Sequence, residues 1–153
     1  MTGIPTPAMI TEVLDAFPGA PVDRDNLSWY QGLLAGELHV NRCRECETWH
    51  HPPPGPRCPH CWSGAVISEM IGGRGTVELR TVLHVGPAAP GIDYEAGHTL
   101  VSIRLDEAPG VRLTAPMEAA SGEIVDLGSR VEFRVVDRGG IPTPAARLLD
   151  RHD

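Results

Sequence analysis

Apolar and polar positions recur with two different periods along this chain, and the change of period divides it. Met9, Ile10, Val13, Leu14 and Phe17 recur at roughly helical spacing, which predicts a short helix between Pro7 and Pro18. A helix that short is marginal alone and must dock on something. Leu27, Trp29, Tyr30, Leu33 and Leu34 form a second apolar stripe. With Asp25 as N-cap and Gly36 at the C-cap position, they predict a helix over Leu27 to Ala35. It feeds into Leu38-His39-Val40-Asn41-Arg42, read as a connection.

Beyond Cys61 the period becomes two. Val77, Leu79, Thr81, Leu83 and Val85 alternate with Glu78, Arg80, Val82 and His84. Val101, Ile103 and Leu105 alternate with polar neighbours, as do Val131, Phe133 and Val135. The strands expected are Val66 to Met70, Gly75 to Val85, His98 to Asp106, Val111 to Pro116 and Arg130 to Val136, with a weak segment near Ala145 to Leu149. Gly86-Pro87, Pro90-Gly91, Pro109-Gly110 and Gly139-Gly140 separate several of them. Short strands without a long helix predict a mainly β chain with a small closed or nearly closed barrel. A five-stranded OB-fold is one such solution. No internal repeat is visible.

All four cysteines fall between the two regimes, as Cys43-x2-Cys46 and Cys58-x2-Cys61, with 11 residues between the pairs. Each CxxC turn converges two thiolates, and two such turns complete a tetrahedral site, as in a small zinc ribbon. The expected cofactor is one structural Zn2+ per chain; a lone iron fits the same cage. Four thiolates leave no open coordination position, so the ion is read as structural, not catalytic. His50, His51 and His60 stand close enough in sequence to substitute for one cysteine. Pro52-Pro53-Pro54-Gly55-Pro56 stiffens the link between the knuckles. Trp62 is expected to cover the join between ribbon and barrel. The expected division is residues 1–37 as arm and helix, 38–70 as ribbon, and 71–153 as OB-fold domain with a C-terminal tail.

Charge narrows the function. The chain of 153 residues carries a formal net charge of -7 and contains no lysine. A generic nucleic-acid binder needs a basic surface to displace counterions, and a single-strand platform needs aromatic rings for stacking. Only Phe133 is aromatic in the expected barrel strands, so nucleic acid is not the expected partner. No apolar run of about twenty residues suggests a membrane span. The first residues lack the pattern of an export signal, and a cytoplasmic location with reduced cysteines is expected. GxSxG, phosphate-loop and HExxH motifs are absent. Gly72-Gly73-Arg74-Gly75 precedes a strand, not a helix, so it reads as a tight turn or close backbone approach. His84 and His98 flank a loop with Asp93, Tyr94 and Glu95 and could do acid-base work only if they share a cleft. No catalytic residue is assigned to this chain.

Trp29-Tyr30-x2-Leu33-x2-Gly36-Glu37-Leu38, Asn41-Arg42-Cys43-x2-Cys46, Pro52-Pro53, Cys58-Pro59-x-Cys61 and Gly73-Arg74-Gly75-Thr76-Val77 together resemble a known family of OB-fold proteins with an N-terminal rubredoxin-like zinc ribbon. The likeness covers about residues 25 to 138. It implies an accessory subunit that stabilises a thiolase-fold enzyme in acyl-CoA chemistry, including the aldolase step of steroid side-chain degradation. Some members are fused to hydratase domains, so a hydratase-type partner is also implied. An acyl-CoA ligand could then lie at the interface, with Arg42, Arg44, Arg57 and Arg74 as candidates for its phosphates. Trp29, Tyr30, Trp49, His50 and His51 are the candidate partner interface. The alternatives are a single-stranded nucleic-acid-binding OB protein, or a small acyl-CoA enzyme acting alone.

Overall fold

The computed structural model describes residues 6–118 and 125–149; the ends of the expected arm and tail lie outside them. Thr6 caps helix α1 (Pro7–Ala16), its hydroxyl accepting from the Met9 N–H at 3.4 Å. Pro7 stands in the first turn, where its missing N–H costs nothing. Helix α2 (Leu27–Ala35) has Asn26 at its N-cap, not the expected Asp25. The organising carboxylate is Asp23, whose Oδ1 accepts from the N–H groups of Asp25 and Asn26 at 2.8 and 2.9 Å. It shapes the turn before the helix. Gly36 ends α2 at φ 79, the left-handed cap its position predicts.

Residues 38–43 form a strand, β1 (Leu38–Cys43), not a connection. It is the middle of a three-stranded antiparallel sheet, flanked by β2 (Trp49–His50) and β3 (Val66–Ile71). Five more strands follow: β4 (Arg74–Leu83), β5 (His98–Leu105), β6 (Arg112–Pro116), β7 (Arg130–Arg138) and β8 (Ile141–Leu148). They make one antiparallel sheet in the order β6-β5-β4-β7-β8. Its two edges touch at one parallel bridge, Met117 to Ala146, with the Glu118 N–H donating to the Ala146 carbonyl at 2.8 Å. The sheet is therefore OB-like, pinched shut at a point and not closed by a continuous ladder.

Two expectations about these strands change. A bulge between Val77 and Leu79 breaks the alternation of β4, so Leu79 is 56% exposed although Val77 is buried. The weak last strand is a full one and starts at Ile141, carrying Pro142 and Pro144 on an outer strand where proline is tolerated.

One apolar core joins the parts. Val13, Phe17, Leu27 and Leu33 from the helices, Leu38, Val40 and Ile71 from the ribbon, and Val77, Val101, Ile103, Leu105, Val131 and Phe133 from the sheet belong to a single buried cluster. The glycines at the ribbon–sheet junction make this approach possible. A Cβ on Gly73, which sits at φ +77, would lie 2.7 Å from Leu38 Cδ1, and one on Gly75 would lie 2.4 Å from the Arg104 carbonyl oxygen. The glycine run is a close backbone approach, as its place before a strand suggests.

Candidate metal centre

The two CxxC turns are copies of one local structure, a repeat that composition alone hides. The Cys43 N–H donates to the Thr48 carbonyl at 3.0 Å, and the Cys58 N–H donates to the Ser63 carbonyl at 2.9 Å, five residues on in each case. The residue after the second cysteine of each turn is left-handed, Glu47 at φ 60 and Trp62 at φ 62. Such a conformation strains any residue but glycine, and it persists here because both turns must aim their sulfurs inward.

The four sulfurs lie within 4.8 Å of one another. Cys43 and Cys61 are 3.6 Å apart, as are Cys46 and Cys58. Bonds of about 2.3 Å to a tetrahedral Zn2+ require sulfur separations of about 3.8 Å, so these residues fit the ion. Their protonation shows the same need. Hydrogen bonds from the Thr48 hydroxyl and backbone hold the Cys46 thiol down to about 6. At Cys61 the Ser63 backbone favours the thiolate, but desolvation and the neighbouring thiols outweigh it and push the thiol up to about 12. Sulfurs this close cannot all carry charge without a cation among them. The cluster is a structural zinc site of one ion per chain. The ion, when bound, fixes both knuckles and neutralises the thiolates.

The histidines take other places. His50 Nε2 stands 3.4 Å from Cys58 Sγ but outside the cluster of four sulfurs, a place from which it can hydrogen-bond that ligand. Burial and then the charge of His60 keep His50 below its usual range. Burial does the same for His51, whose ring stacks on Trp29 with centroids 4.6 Å apart. Tyr30 packs on Phe17 at 5.0 Å, and Trp49 lies under the Arg42 guanidinium at 5.2 Å. Trp29, Tyr30 and Trp49 are all half-buried against the core. Trp62, expected over the join, is instead 72% exposed, so it shields nothing.

The four arginines singled out for phosphate do not share one environment. Arg42 bonds Glu47 at 3.0 Å and approaches Glu69 at 3.7 Å. Arg57 donates to the Trp62 carbonyl at 3.0 Å, and Arg44 is exposed on the first knuckle. Arg74 belongs to β4 and approaches Glu132 at 3.8 Å. His98 lines a cavity of about 420 Å³ with Asp93, Glu118 and Arg138, and burial and then the Arg138 charge lower its pKa. One oxygen of the Asp93 carboxylate there, Oδ1, accepts from the N–H groups of Glu95 and Ala96.

A tetrathiolate ribbon and an OB-like sheet on one core define the class: a zinc-ribbon/OB protein. Residues 31–66 match the family model described as ChsH2, rubredoxin-like zinc ribbon domain. The chain is similar to a chain of the Ltp2-ChsH2(DUF35) aldolase, with a TM-score of 0.72 and 26% identity, covering 84% of this chain and 98% of that one. A DUF35-family protein of unknown function from Sulfolobus solfataricus shares the fold at a TM-score of 0.54 and 15% identity, over 84% of this chain and 91% of that one. A probable enoyl-CoA hydratase alpha subunit of Thermomonospora curvata is 31% identical over 114 residues. The aligned part is 74% of this chain, but the chain spans only 34% of that curated relative. The ribbon of residues 31–66 is thus of the ChsH2 kind, and the fold of the whole chain is similar to that of ChsH2/DUF35 structures. No helix among the described residues is long and apolar enough to cross a membrane.

Proposed function

We propose that this chain is an accessory subunit that binds and stabilises a thiolase-fold, acyl-CoA-processing enzyme. The observation that carries this is the likeness to a chain of the Ltp2-ChsH2(DUF35) aldolase over almost that chain's full length. Two features of the molecule agree with it. The metal cage has its four positions filled by sulfur, so the ion supports a fold and not a reaction. The surface also carries large apolar side chains: Met9, Ile10 and Leu14 on α1, and Trp62 beside the second knuckle. Such residues serve as anchors in lasting interfaces.

The reacting groups would then lie mainly on the partner, with this chain bordering its CoA-ester entrance. Retro-aldol cleavage in steroid side-chain breakdown is the leading reaction, and Arg74, on the sheet beside the junction with the ribbon, is the first candidate for a CoA phosphate. The test is co-purification of the untagged native partner and an assay of each component and of the pair. Turnover of a CoA ester by the pair, much above that of either component, is expected. Full turnover by the partner alone, or by this chain alone, would overturn the proposal.

A further inference from the structure

The outward face of the five-stranded sheet has a charge opposite to that of the chain. Residues directly across a ladder share a face, and two rows follow from the register. Arg112 faces Arg104, Arg104 faces Thr76, and Thr76 faces Arg130. Arg74 faces Glu132, which faces Arg147. Arg134 lies two residues beyond Glu132 on β7 and so joins the same face. Six arginines gather there, each side chain about half exposed.

Three carboxylates lie among them, and they do not saturate the guanidinium groups. Glu78 accepts from Arg104 Nε and Arg112 Nε at 2.8 and 2.7 Å, and the Nη groups of both arginines make no hydrogen bond among the described residues. Asp106 takes both Nη groups of Arg130 at 3.0 and 2.5 Å. Glu132 has Arg147, Arg74 and Arg134 around it at 3.4, 3.8 and 3.9 Å, and only Arg147 is close enough to hydrogen-bond it. A guanidinium has five N–H donors, so most of the donors on this face point at solvent. In a chain of net charge -7 this concentration is a local feature, not a general one.

We propose that this face is a second docking surface, receiving a carboxylate-rich surface of the partner protein; the partner itself rests on the accessory-subunit reading. Fork-shaped donors match carboxylates in pairs, and the existing acids hold the arginine stems in position between visits. A protein fits better than a nucleic acid. The face has no aromatic ring on which a base could stack, and its interleaved carboxylates would repel a continuous row of phosphates. Next to Arg134 runs a groove of about 330 Å³ whose lining includes Leu38, Met70, Ile71, Phe133 and Val135, together with Glu37 and Glu107. Met70 is 64% exposed there. Methionine and arginine together are the composition of a protein interface.

The test uses the full zinc-loaded chain and two probes, poly-L-glutamate and an oligo-dT strand, followed by anisotropy at rising NaCl. The triple variant Arg104→Gln, Arg112→Gln, Arg147→Gln is compared with Arg24→Gln, which lies off the face, and with the charge-keeping triple lysine variant. Poly-L-glutamate is expected to bind the wild type, salt-dependently, and the glutamine variant about tenfold or more weakly. Arg24→Gln is expected to bind as the wild type does, and the triple lysine variant to fall between wild type and glutamine variant, because it keeps the charge and loses the fork. The glutamine variant is also expected to lose affinity for the co-purified partner. Equal binding by wild type and glutamine variant, with zinc content intact, would overturn the proposal; so would tighter, arginine-dependent binding of oligo-dT. If no thiolase-fold partner assembles but poly-L-glutamate still depends on these arginines, the accessory-subunit reading fails and the acidic docking face stands.

Discussion

The ribbon and the five-stranded sheet share one core, yet they are held by different forces. The sheet buries Val77, Val101, Ile103, Leu105, Leu113, Val131 and Phe133, enough apolar surface for ordinary burial to hold it. The ribbon contributes Leu38, Val40 and Ile71 to that core, and its remaining buried groups are the metal ligands Cys43 and Cys58. Its second knuckle also carries a tryptophan that faces solvent at a positive φ. A small module with strained turns and few buried side chains depends on its ion. The difference teaches that one continuous core does not imply one source of stability.

Removing the metal should separate the two regions most strongly. Structural zinc contributes about 10 to 16 kcal/mol to folding in small zinc modules. Chelation, or Cys58→Ser, is expected to abolish hydrogen-exchange protection in β1, β2 and β3 while much of β4, β5 and β7 keeps theirs. Simultaneous loss everywhere would show that the sheet depends on the ion as well. The converse change is Ile103→Ala, a deletion at a fully buried site in the sheet. It should cost about 2 to 5 kcal/mol in denaturant unfolding and leave zinc stoichiometry at one.

A finer cut concerns His50. Its contact with Cys58 is of the kind that orients a ligand, and loss of such a partner weakens metal affinity by about 10- to 100-fold. His50→Ala should show that shift in chelator competition and leave the sheet's unfolding unchanged. The smallest effect is electrostatic. A hydrogen bond from Arg112, with help from Arg104, holds Glu78 below the usual carboxylate range, and Arg130 does the same for Asp106. Folded values below the unfolded ones mean a contribution that is complete above the unfolded values, about 4, and lost as pH falls through the folded ones. A carbon-13 titration should place the Glu78 midpoint below about 4.3, and Arg112→Gln should raise it.

The ribbon's ligands were legible because chemistry fixes their spacing: two CxxC pairs have few other uses. The alternation of β5 and β7 was legible for a similar reason, since each strand has one face on the core. β1 was not, because Leu38-His39-Val40-Asn41-Arg42-Cys43 runs straight from a helix cap into a ligand and resembles a connection. Pro142 and Pro144 masked β8, because proline argues against a strand unless the strand is known to be outermost. The bulge at Val77/Leu79 erased the phase of β4, which no single strand can reveal by itself. The matching of the two knuckles was hidden because Glu47 and Trp62 stand where glycine would have marked the turn. The arginine face was hidden for a different cause: its members come from five strands and meet only through register.

Pro142 and Pro144 have one more consequence. An outermost strand with free N–H groups is a template on which another chain can pair, the first step toward fibres. Along the first half of β8 those two positions have no N–H to offer, and further on Ala146 is already bridged to Met117. This margin of the sheet is thus blunted by covalent chemistry at one end and capped by the segment after β6 at the other, so β8 is a poor template for a second chain.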